Sequence, residues 1–322
     1  MKILVLRLSS LGDVVLTQPV TSELRRSYPA AEIHFLTKPG FVDIVKSFGT
    51  VDQVINYEKS PGFHLGLLKR RYDLVIDLHA KLSTYIIGIL VPHTKLLRYK
   101  KQHGRRKNIV QKHLKQSGLS TVELYLNCLQ KLPDFKASAV IPVPKLIVPK
   151  NPSLAFEHDK PLLAIFPGAT HQTKMLPINK LQELIHKLGD AYRYIVLGTS
   201  AESYLGDLLC KVSKNCQNHC GHYHLPELLC VLEQADLVIS NDSGPMHLAA
   251  ALGIPQIAVF GATHPALGFG PLNPKAIVIS MDLECQPCSL HGEECCPLGH
   301  FNCMNSISVE ALEQAVAALA SK

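Results

Sequence analysis

Short apolar segments alternate with helical ones along almost the whole chain, and this alternation constrains the fold more than any other feature. Runs of β-branched residues and leucine are followed by longer segments in which apolar residues recur three or four positions apart. Buried strands separated by helices are typical of a parallel sheet covered on both faces. The predicted strands are residues 2–6, 32–36, 53–55, 74–77, 95–98, 162–166, 194–197, 237–240, 256–260 and 276–279. The predicted helices lie near residues 14–27, 41–47, 64–70, 80–90, 121–131, 178–188, 202–212, 225–233, 246–252 and 308–320.

A proline-rich stretch interrupts the alternation near the middle of the chain. Residues 141–161 contain five prolines, which lack the N–H that a sheet needs and which disfavour helix. A chain of 322 residues is also long enough for two cores. We therefore predict an α/β fold of two doubly wound, Rossmann-like domains, residues 1–150 and 151–322, facing across a cleft. The last helix is a candidate to pack back on the N-terminal domain.

Composition indicates a cytosolic protein. No apolar stretch reaches the roughly 18 residues that a membrane span requires. Arg7 interrupts the apolar N-terminal run, and no cleavage site of small residues follows it, so we expect no signal peptide. The ten cysteines of so long a chain do not resemble a secreted disulfide framework, and we expect reduced thiols.

Positive charge is concentrated in one window of the first half. The formal net charge is +7, and residues 78–122 contain ten Lys and Arg but no Asp or Glu. Such a window indicates an anionic partner, such as a phosphorylated glycolipid, a membrane surface or nucleic acid; the alternative is a solvated charged face. Nucleic acid is the weakest of these partners because no known nucleic-acid-reading motif is present.

The first strand leads into a loop with polar residues at a helix start. In open α/β sheets, ligands bind where strands end and helices begin. Ser10 and Gly12 form the turn, and Asp13 stands at the start of the next helix. Asp13 is either a site carboxylate or a first-turn residue that the helix dipole favours. The loop has no GxGxxG pattern, so dinucleotide binding is not indicated.

Two loops of the second half suit a diphosphate and a ribose. Residues 166–177, FPGATHQTKMLP, place Thr170 and Lys174 between a strand and a helix. Hydroxyls, backbone N–H groups and one ammonium group can bind a diphosphate, although an ordinary polar loop has the same composition. Glu202 begins a later helix and is either a first-turn carboxylate or a ligand of a ribose hydroxyl.

The segment NDSGPMHLAAALGIP, residues 241–255, predicts an anion site at a helix start. Ser243 can cap the helix, Gly244 and proline suit its first turn, and the free N–H groups favour an anion. Asp242 does not suit an anion but can bind hydroxyl groups, and His247 lies one turn further on. Phosphates on the N–H groups and sugar hydroxyls on Asp242 together predict a nucleotide sugar.

These motifs resemble those of the heptosyltransferases, the ADP-heptose:lipopolysaccharide transferases of glycosyltransferase family 9. The resemblance rests on SSLGDVVLTQP, FPGATHQTKMLP, NDSGPMHLAAALGIP with its following VFGATHP, and a late cysteine-rich segment. It implies the GT-B fold and an inverting transfer of L-glycero-D-manno-heptose to the inner core of lipopolysaccharide. It further implies chemistry that needs no metal. The alternative within enzymes is a GT-B transferase that uses a UDP- or GDP-sugar.

The resemblance also implies roles for individual residues. Asp13 matches the catalytic base, and Lys174 matches the lysine that holds the diphosphate. The matching donor-binding residues are Thr170, Glu202, Asp242, Ser243, Gly244 and His247. The family often has tryptophan where this chain has Leu176, and this chain has no tryptophan.

The acceptor of this family is an anionic lipopolysaccharide precursor, Kdo–lipid A or a heptosylated core. The resemblance therefore implies work at the cytoplasmic face of the inner membrane. The candidate acceptor-binding residues come from the basic window and are Arg98, Lys100, Arg105 and Arg106.

Five cysteines cluster between residues 285 and 303. A CxxC pair followed by further cysteines is one pattern of a structural zinc site, and the alternatives are packed thiols or a disulfide-capable loop. The candidate zinc ligands are Cys285, Cys288, Cys295 and Cys303, with His291 and His300 as alternates.

Overall fold

The computed structural model describes the whole chain except residues 117, 134, 136, 137, 139, 157, 158, 321 and 322. The chain forms two compact units: Met1–Gln102 with Leu119–Ile147, and His103–Gly118 with Val148–Lys322. Along the sequence, the first unit ends at Ile147, close to the predicted border at residue 150, but residues 103–118 belong to the second unit and not to the first. Within the predicted proline-rich segment, residues 157 and 158 lie outside the described part.

The first unit is built on a sheet of five parallel strands in the order β3-β2-β1-β4-β5. β1 is central, and its residues after Lys2 are buried because the sheet is covered on both faces. Its last residue, Leu6, pairs with Leu36 on one side and with Asp77 on the other. The strands are β1 (Lys2–Leu6), β2 (Glu32–Thr37), β3 (Gln53–Asn56), β4 (Tyr72–Asp77) and β5 (His93–Arg98).

The first seven helices occupy residues 11–126, and six of them belong to the first unit. They are α1 (Leu11–Val15), α2 (Gln18–Ser27), α3 (Val42–Lys46), α4 (Pro61–Leu68), α5 (Leu82–Leu90), α6 (His103–Gln111) and α7 (Thr121–Leu126). The predicted helix 14–27 is therefore two helices. Pro19 explains the break, since it lacks an N–H and is tolerated only in the first turn of α2.

Helix α6 packs in the second unit, and sequence analysis did not predict it. Its Ile109 is buried against Ala266 and Leu267. The helix is otherwise polar and basic, so its sequence has little helical periodicity of apolar residues. The basic window is thus divided between the two units.

The second unit contains six parallel strands in the order β11-β10-β9-β6-β7-β8. If β6 is counted as the first strand, the strand order is that of the Rossmann fold. β7 and β8 are added on one side of β6 and the later strands on its other side, so the switch point lies between β6 and β9. β8 was missed from the sequence because it is only three residues long and polar. The strands are β6 (Leu162–Phe166), β7 (Arg193–Val196), β8 (Cys216–Asn218), β9 (Leu237–Asn241), β10 (Gln256–Val259) and β11 (Ala276–Ile279).

The last helix packs within the core of the second unit. Leu312 and Val316 of this helix are fully buried in the cluster that also contains Leu184 and Ile257. The remaining helices are α8 (Ile178–Leu188), α9 (Ser203–Cys210), α10 (Leu225–Leu232), α11 (Gly244–Ala251), α12 (Asn302–Asn305) and α13 (Val309–Ala320). Across the part of the chain that the structure describes, no helix is long and apolar enough to cross a membrane.

Candidate active site

Lys174 and Asp242 meet at the carboxyl end of the second sheet. Lys174 follows β6, Asp242 follows β9, and these two strands pair at the switch point where ligands bind in such sheets. The Lys174 Nζ lies 2.9 Å from the Asp242 Oδ2, and both side chains are largely buried. The hydroxyl of Thr263 donates to the same Asp242 oxygen at 2.7 Å. Two motifs separated widely in sequence thus form one charged cluster.

Asn241 fixes the loop that carries Lys174. Its side-chain oxygen accepts the N–H of Leu176 at 3.0 Å. Its amide group donates to the carbonyls of Pro167 at 2.8 Å and Gly168 at 3.2 Å. Asn241 therefore binds both ends of the loop after β6. Sequence reasoning missed this role, and the available signal was a buried amide residue that ends an otherwise apolar strand.

The cysteine-rich segment supports the same loop from the other side. The Thr173 hydroxyl donates to the Glu293 carbonyl at 2.8 Å and accepts the Glu293 N–H at 2.7 Å. Gly292 has a φ of +97°, and a Cβ there would lie 2.8 Å from the Cγ and Cδ of Lys174. Glycine is therefore required, because it allows the backbone to approach the lysine stem. The segment positions Lys174 through its backbone.

The start of α11 has the geometry of an anion site. Ser243 is extended, and its hydroxyl donates to the Asn241 carbonyl at 3.2 Å instead of capping the helix. Gly244 begins the helix, and His247 is buried in its first turn. The first N–H groups of a helix have no carbonyl partner within that helix, and its dipole favours an anion there.

Glu202 lies over the ends of two strands. Its Oε2 accepts the N–H and the hydroxyl of Thr199 at 2.6 and 2.9 Å. A Cβ on Gly168 would lie 1.7 Å from its Oε1, and one on Gly198 would lie 2.7 Å from its Oε2. Glu202 thus occupies a helix start and also the ligand-binding edge of the sheet. Thr170 is exposed in the neighbouring loop.

Asp13 forms an ion pair at the carboxyl end of the first sheet. Its Oδ2 lies 2.5 Å from the Nη2 of Arg7 and accepts the Ser10 hydroxyl at 2.9 Å. Arg7 is buried, and it also donates to the carbonyls of Ser9 and Leu78 at 2.8 and 2.7 Å. A positive charge this close favours the ionised carboxylate. Ser10 is also the N-cap of α1, and Gly12 is buried within that helix.

Arg7 and Lys101 place positive charge near Asp13, and both also interact with His79. His79 is buried directly after β4, and among the described residues its Nδ1 has no hydrogen-bond partner. Burial, and after it the charges of Arg7 and Lys81, lower the pKa of His79 to about 4. Partial burial and the charge of Arg7 also lower the pKa of Lys101. Sequence analysis counted Lys81 and Lys101 only as members of the basic window and did not single out His79.

The lowered pKa of His79 predicts that acid destabilises the fold. The unfolded chain takes up this proton near pH 6.5, whereas the folded protein takes it up only near pH 4. The free energy of unfolding therefore falls as the pH drops through this window, by roughly 3 kcal/mol for this group at 1.36 kcal/mol per pKa unit.

Urea unfolding at pH 7 and pH 4.5 should show a smaller pH dependence of the free energy of unfolding for His79→Gln than for wild type. The exposed His103 supplies the control, since His103→Gln should retain the wild-type dependence. An unchanged dependence in His79→Gln would contradict the assignment.

Two of the predicted acceptor-binding arginines have partners in the protein. The Arg98 Nε donates to the fully buried Asp77 Oδ2 at 2.9 Å, and its guanidinium lies 3.5 Å from the ring centroid of Tyr85. The Arg106 Nε donates to the Leu267 carbonyl at 3.1 Å and lies over the ring of Phe269. These contacts give both arginines a structural role.

The other two predicted acceptor-binding residues lie on different units. Arg105 packs against Gly118 in the second unit, where a Cβ would overlap its guanidinium. Lys100 is exposed in the first unit. Their binding of an acceptor stays a prediction.

The cysteines are free thiols in this structure. Over the described residues, no three His, Cys, Asp or Glu side chains come close enough together to hold a metal ion. Cys303 is buried in the core, where burial raises its pKa to about 12, whereas Cys295 is exposed. Of the candidate ligands Cys285, Cys288, Cys295 and Cys303, the last is thus enclosed in the core while Cys295 is at the surface, and zinc binding by this segment stays a prediction.

Each unit contains a Rossmann-like sheet with polar residues in its strand-end loops, an arrangement typical of transferases of the GT-B type. A sequence profile of glycosyltransferase family 9 (heptosyltransferase) matches residues 63–297, more than half of the chain. The protein belongs to this family and is a glycosyltransferase.

Several proteins resemble the chain over nearly its full length. Lipooligosaccharide heptosyltransferase 2 of Campylobacter jejuni is 26% identical, over 98% of this chain and 97% of that protein. The structure of the E. coli ADP-heptose lipopolysaccharide heptosyltransferase II has a TM-score of 0.79 at 21% identity, covering 99% of this chain and 98% of that one. An E. coli heptosyltransferase solved with ADP-2-deoxy-2-fluoro heptose has a TM-score of 0.73 at 20% identity, covering 99% of each chain. The structural similarities establish the fold.

Proposed function

We propose that the protein transfers L-glycero-D-manno-heptose from ADP-heptose to the Kdo and heptose inner core of lipopolysaccharide, with inversion. The pairing of Lys174 with Asp242 beside the start of α11 carries this proposal, because it creates a site for a diphosphate leaving group. Family membership supports heptosyl transfer. The similar E. coli enzyme with its bound ADP-heptose analogue supports the choice of donor.

The second unit would bind the donor. Lys174 and the first N–H groups of α11 would bind the two phosphates, with Thr170 nearby. Asp242 has two roles in this arrangement: it holds the Lys174 ammonium in place, and it presents its carboxylate to sugar hydroxyls. Glu202 would bind the ribose at the neighbouring strand end. His247 would line the helix start from within its first turn.

The first unit would supply the base. The Asp13 carboxylate, held by its ion pair with Arg7, would take the proton of an acceptor hydroxyl. The hydroxyl oxygen forms a bond to the anomeric carbon as the bond to the ADP oxygen breaks on the opposite face, which inverts the centre. Lys174 meets the charge that develops on the departing diphosphate, so the proposed chemistry uses a side-chain ammonium where other transferases use a metal.

The cations around Asp13 suit an anionic acceptor. Arg7, Lys81 and Lys101 lie close enough to His79 to influence its titration, and Asp13 is bonded to Arg7. Their combined positive potential would attract the carboxylate of a Kdo sugar and the phosphates of lipid A. Such an acceptor is anchored in a bilayer, so we place the reaction at the cytoplasmic face of the inner membrane.

Nucleotide binding tests the donor assignment. ADP should raise the melting temperature more than UDP or GDP; at 100 times its Kd, a ligand stabilises the fold by about 2.7 kcal/mol. Lys174→Ala should lose most of the ADP shift, whereas Lys187→Ala, which removes an exposed ion pair in the same unit, should keep it. A larger shift with UDP or GDP would identify a transferase for a different nucleotide sugar. A salt-sensitive shift with oligonucleotides alone would indicate a nucleic-acid binder.

A further inference from the structure

Helix α5 presents an apolar stripe to solvent. Its residues 82, 85, 86 and 89 follow the spacing of one helix face, and all four are exposed. Leu82 and Ile89 at the two ends are 77% and 78% exposed. The opposite face carries Thr84 and Ile87 and is fully buried. The apolar character of the outer face is therefore not needed for the packing of α5.

Helix α4 extends this apolar surface. α4 packs beside α5, and the inner residues Leu67 and Ile87 join one core cluster. The outer residues Leu65 and Leu68 of α4 are exposed. We define the α4–α5 patch by its six exposed apolar residues: Leu65, Leu68, Leu82, Tyr85, Ile86 and Ile89. A concentration of large apolar side chains of this kind marks an interaction surface.

Basic residues border the patch. Lys69 and Arg71 are exposed directly after α4, and Lys81 is exposed directly before α5. Lys59, also exposed, lies just before the start of α4. Apolar side chains with a basic border match a bilayer of anionic lipids, because the apolar groups enter the acyl boundary while the cations meet phosphate headgroups.

The charge of the border disfavours a second copy of this chain as the occupant. A symmetric dimer through the α4–α5 patch would place the same surface on both partners. The basic border with Lys69, Arg71 and Lys81 would then lie at the same interface as the equally basic border of the partner, and like charges repel. An anionic bilayer has the complementary charge.

We propose that the α4–α5 patch docks the protein on the surface of an anionic lipid bilayer, with the apolar stripe inserted at the headgroup boundary. This inference deepens the proposed function, since a lipid-anchored acceptor would reach the first unit from the surface on which that unit rests. Docking would bring the first unit, which carries Asp13, to the surface that holds a lipid-anchored acceptor.

Vesicle binding by the full-length protein tests the docking surface. Leu82→Ser combined with Ile89→Ser removes the two most exposed apolar groups, whose side chains contribute little to the core. Binding to vesicles of phosphatidylglycerol and phosphatidylethanolamine should fall at least tenfold in this double variant. Tyr204→Ser with Leu298→Ser removes exposed apolar side chains of the second unit and should bind like wild type. Vesicles of phosphatidylcholine alone should bind wild type weakly.

Equal vesicle binding by the Leu82→Ser/Ile89→Ser protein and wild type would overturn the proposal. The proposal would also be overturned if wild type were a dimer, the double variant were a monomer, and the variant still bound vesicles. The patch would then join two copies of the chain. Heptosyl transfer to a short acceptor without acyl chains separates this inference from the proposed function. The double variant should keep that activity and lose transfer to acceptor embedded in vesicles. Absence of transfer by wild type would reject the proposed function, and vesicle binding would still decide the docking surface.

Discussion

Asp13→Asn is expected to lower kcat by roughly 10²- to 10⁴-fold, the contribution of a positioned general base. The asparagine has almost the same shape and can still contact Ser10, but it cannot take a proton from the acceptor hydroxyl. Affinity for ADP should remain near wild type, because the proposed donor contacts all lie in the second unit. Single-turnover rates together with an ADP titration measure the two effects separately.

The ion pair with Arg7 requires a control on folding. Asp13→Asn leaves the buried Arg7 without its carboxylate, which on its own destabilises the fold. Thermal unfolding of the variant therefore has to confirm that the protein is folded at the assay temperature. Asp43→Asn, which removes an exposed carboxylate paired with Lys46 in the same unit, should retain full activity. A turnover within tenfold of wild type in folded Asp13→Asn would exclude Asp13 as the base.

The positions of most strands could be predicted because they depend on local patterns. Once β6 and β9 are known to pair, the loops that carry Lys174 and Asp242, 68 positions apart, lie at the same edge of the sheet. The sequence shows which residues follow each strand. The rule that ligands bind at the carboxyl ends of the strands in an open α/β sheet then marks these residues as candidates for one site.

Contacts that depend on tertiary partners could not be predicted. The apolar strand that ends at Asn241 draws attention to this residue but does not show that its amide would bind Pro167 and Leu176, because an asparagine at a strand end is equally common in a simple turn. Arg98 was predicted to bind an acceptor because it belongs to a basic window. Its partner Asp77 lies on the neighbouring strand, outside the basic window. The window itself contains no acidic residue, so the sequence does not reveal the pair.

Burial was equally hidden in the sequence. The polar segment that contains His79 resembles an exposed loop, yet the residue is enclosed, and only the folded arrangement depresses its pKa. Helix α6 has so few apolar residues that its docking through Ile109 could not be inferred from periodicity. Both features arise from packing between elements distant in sequence.

Lys174→Met is expected to lower kcat by roughly 10²- to 10³-fold, about 3 to 4 kcal/mol of transition-state stabilisation. The ammonium is held 2.9 Å from Asp242 and is therefore already positioned for the charge that develops on the departing diphosphate. Methionine fills a similar volume but carries no charge. The single variant also leaves the largely buried Asp242 with Thr263 and without its cation, so its stability should fall as well.

A double substitution separates these two consequences. Lys174→Met with Asp242→Asn removes both charges, and the neutral amide can still accept the Thr263 hydroxyl, so most of the lost stability should return. Catalysis should not return with it, because the leaving group still lacks its cation. Urea unfolding and kcat are measured on the same four proteins of the cycle. If the double variant regains the wild-type rate together with its stability, then Lys174 acts only by neutralising Asp242, and the diphosphate must be stabilised by other groups.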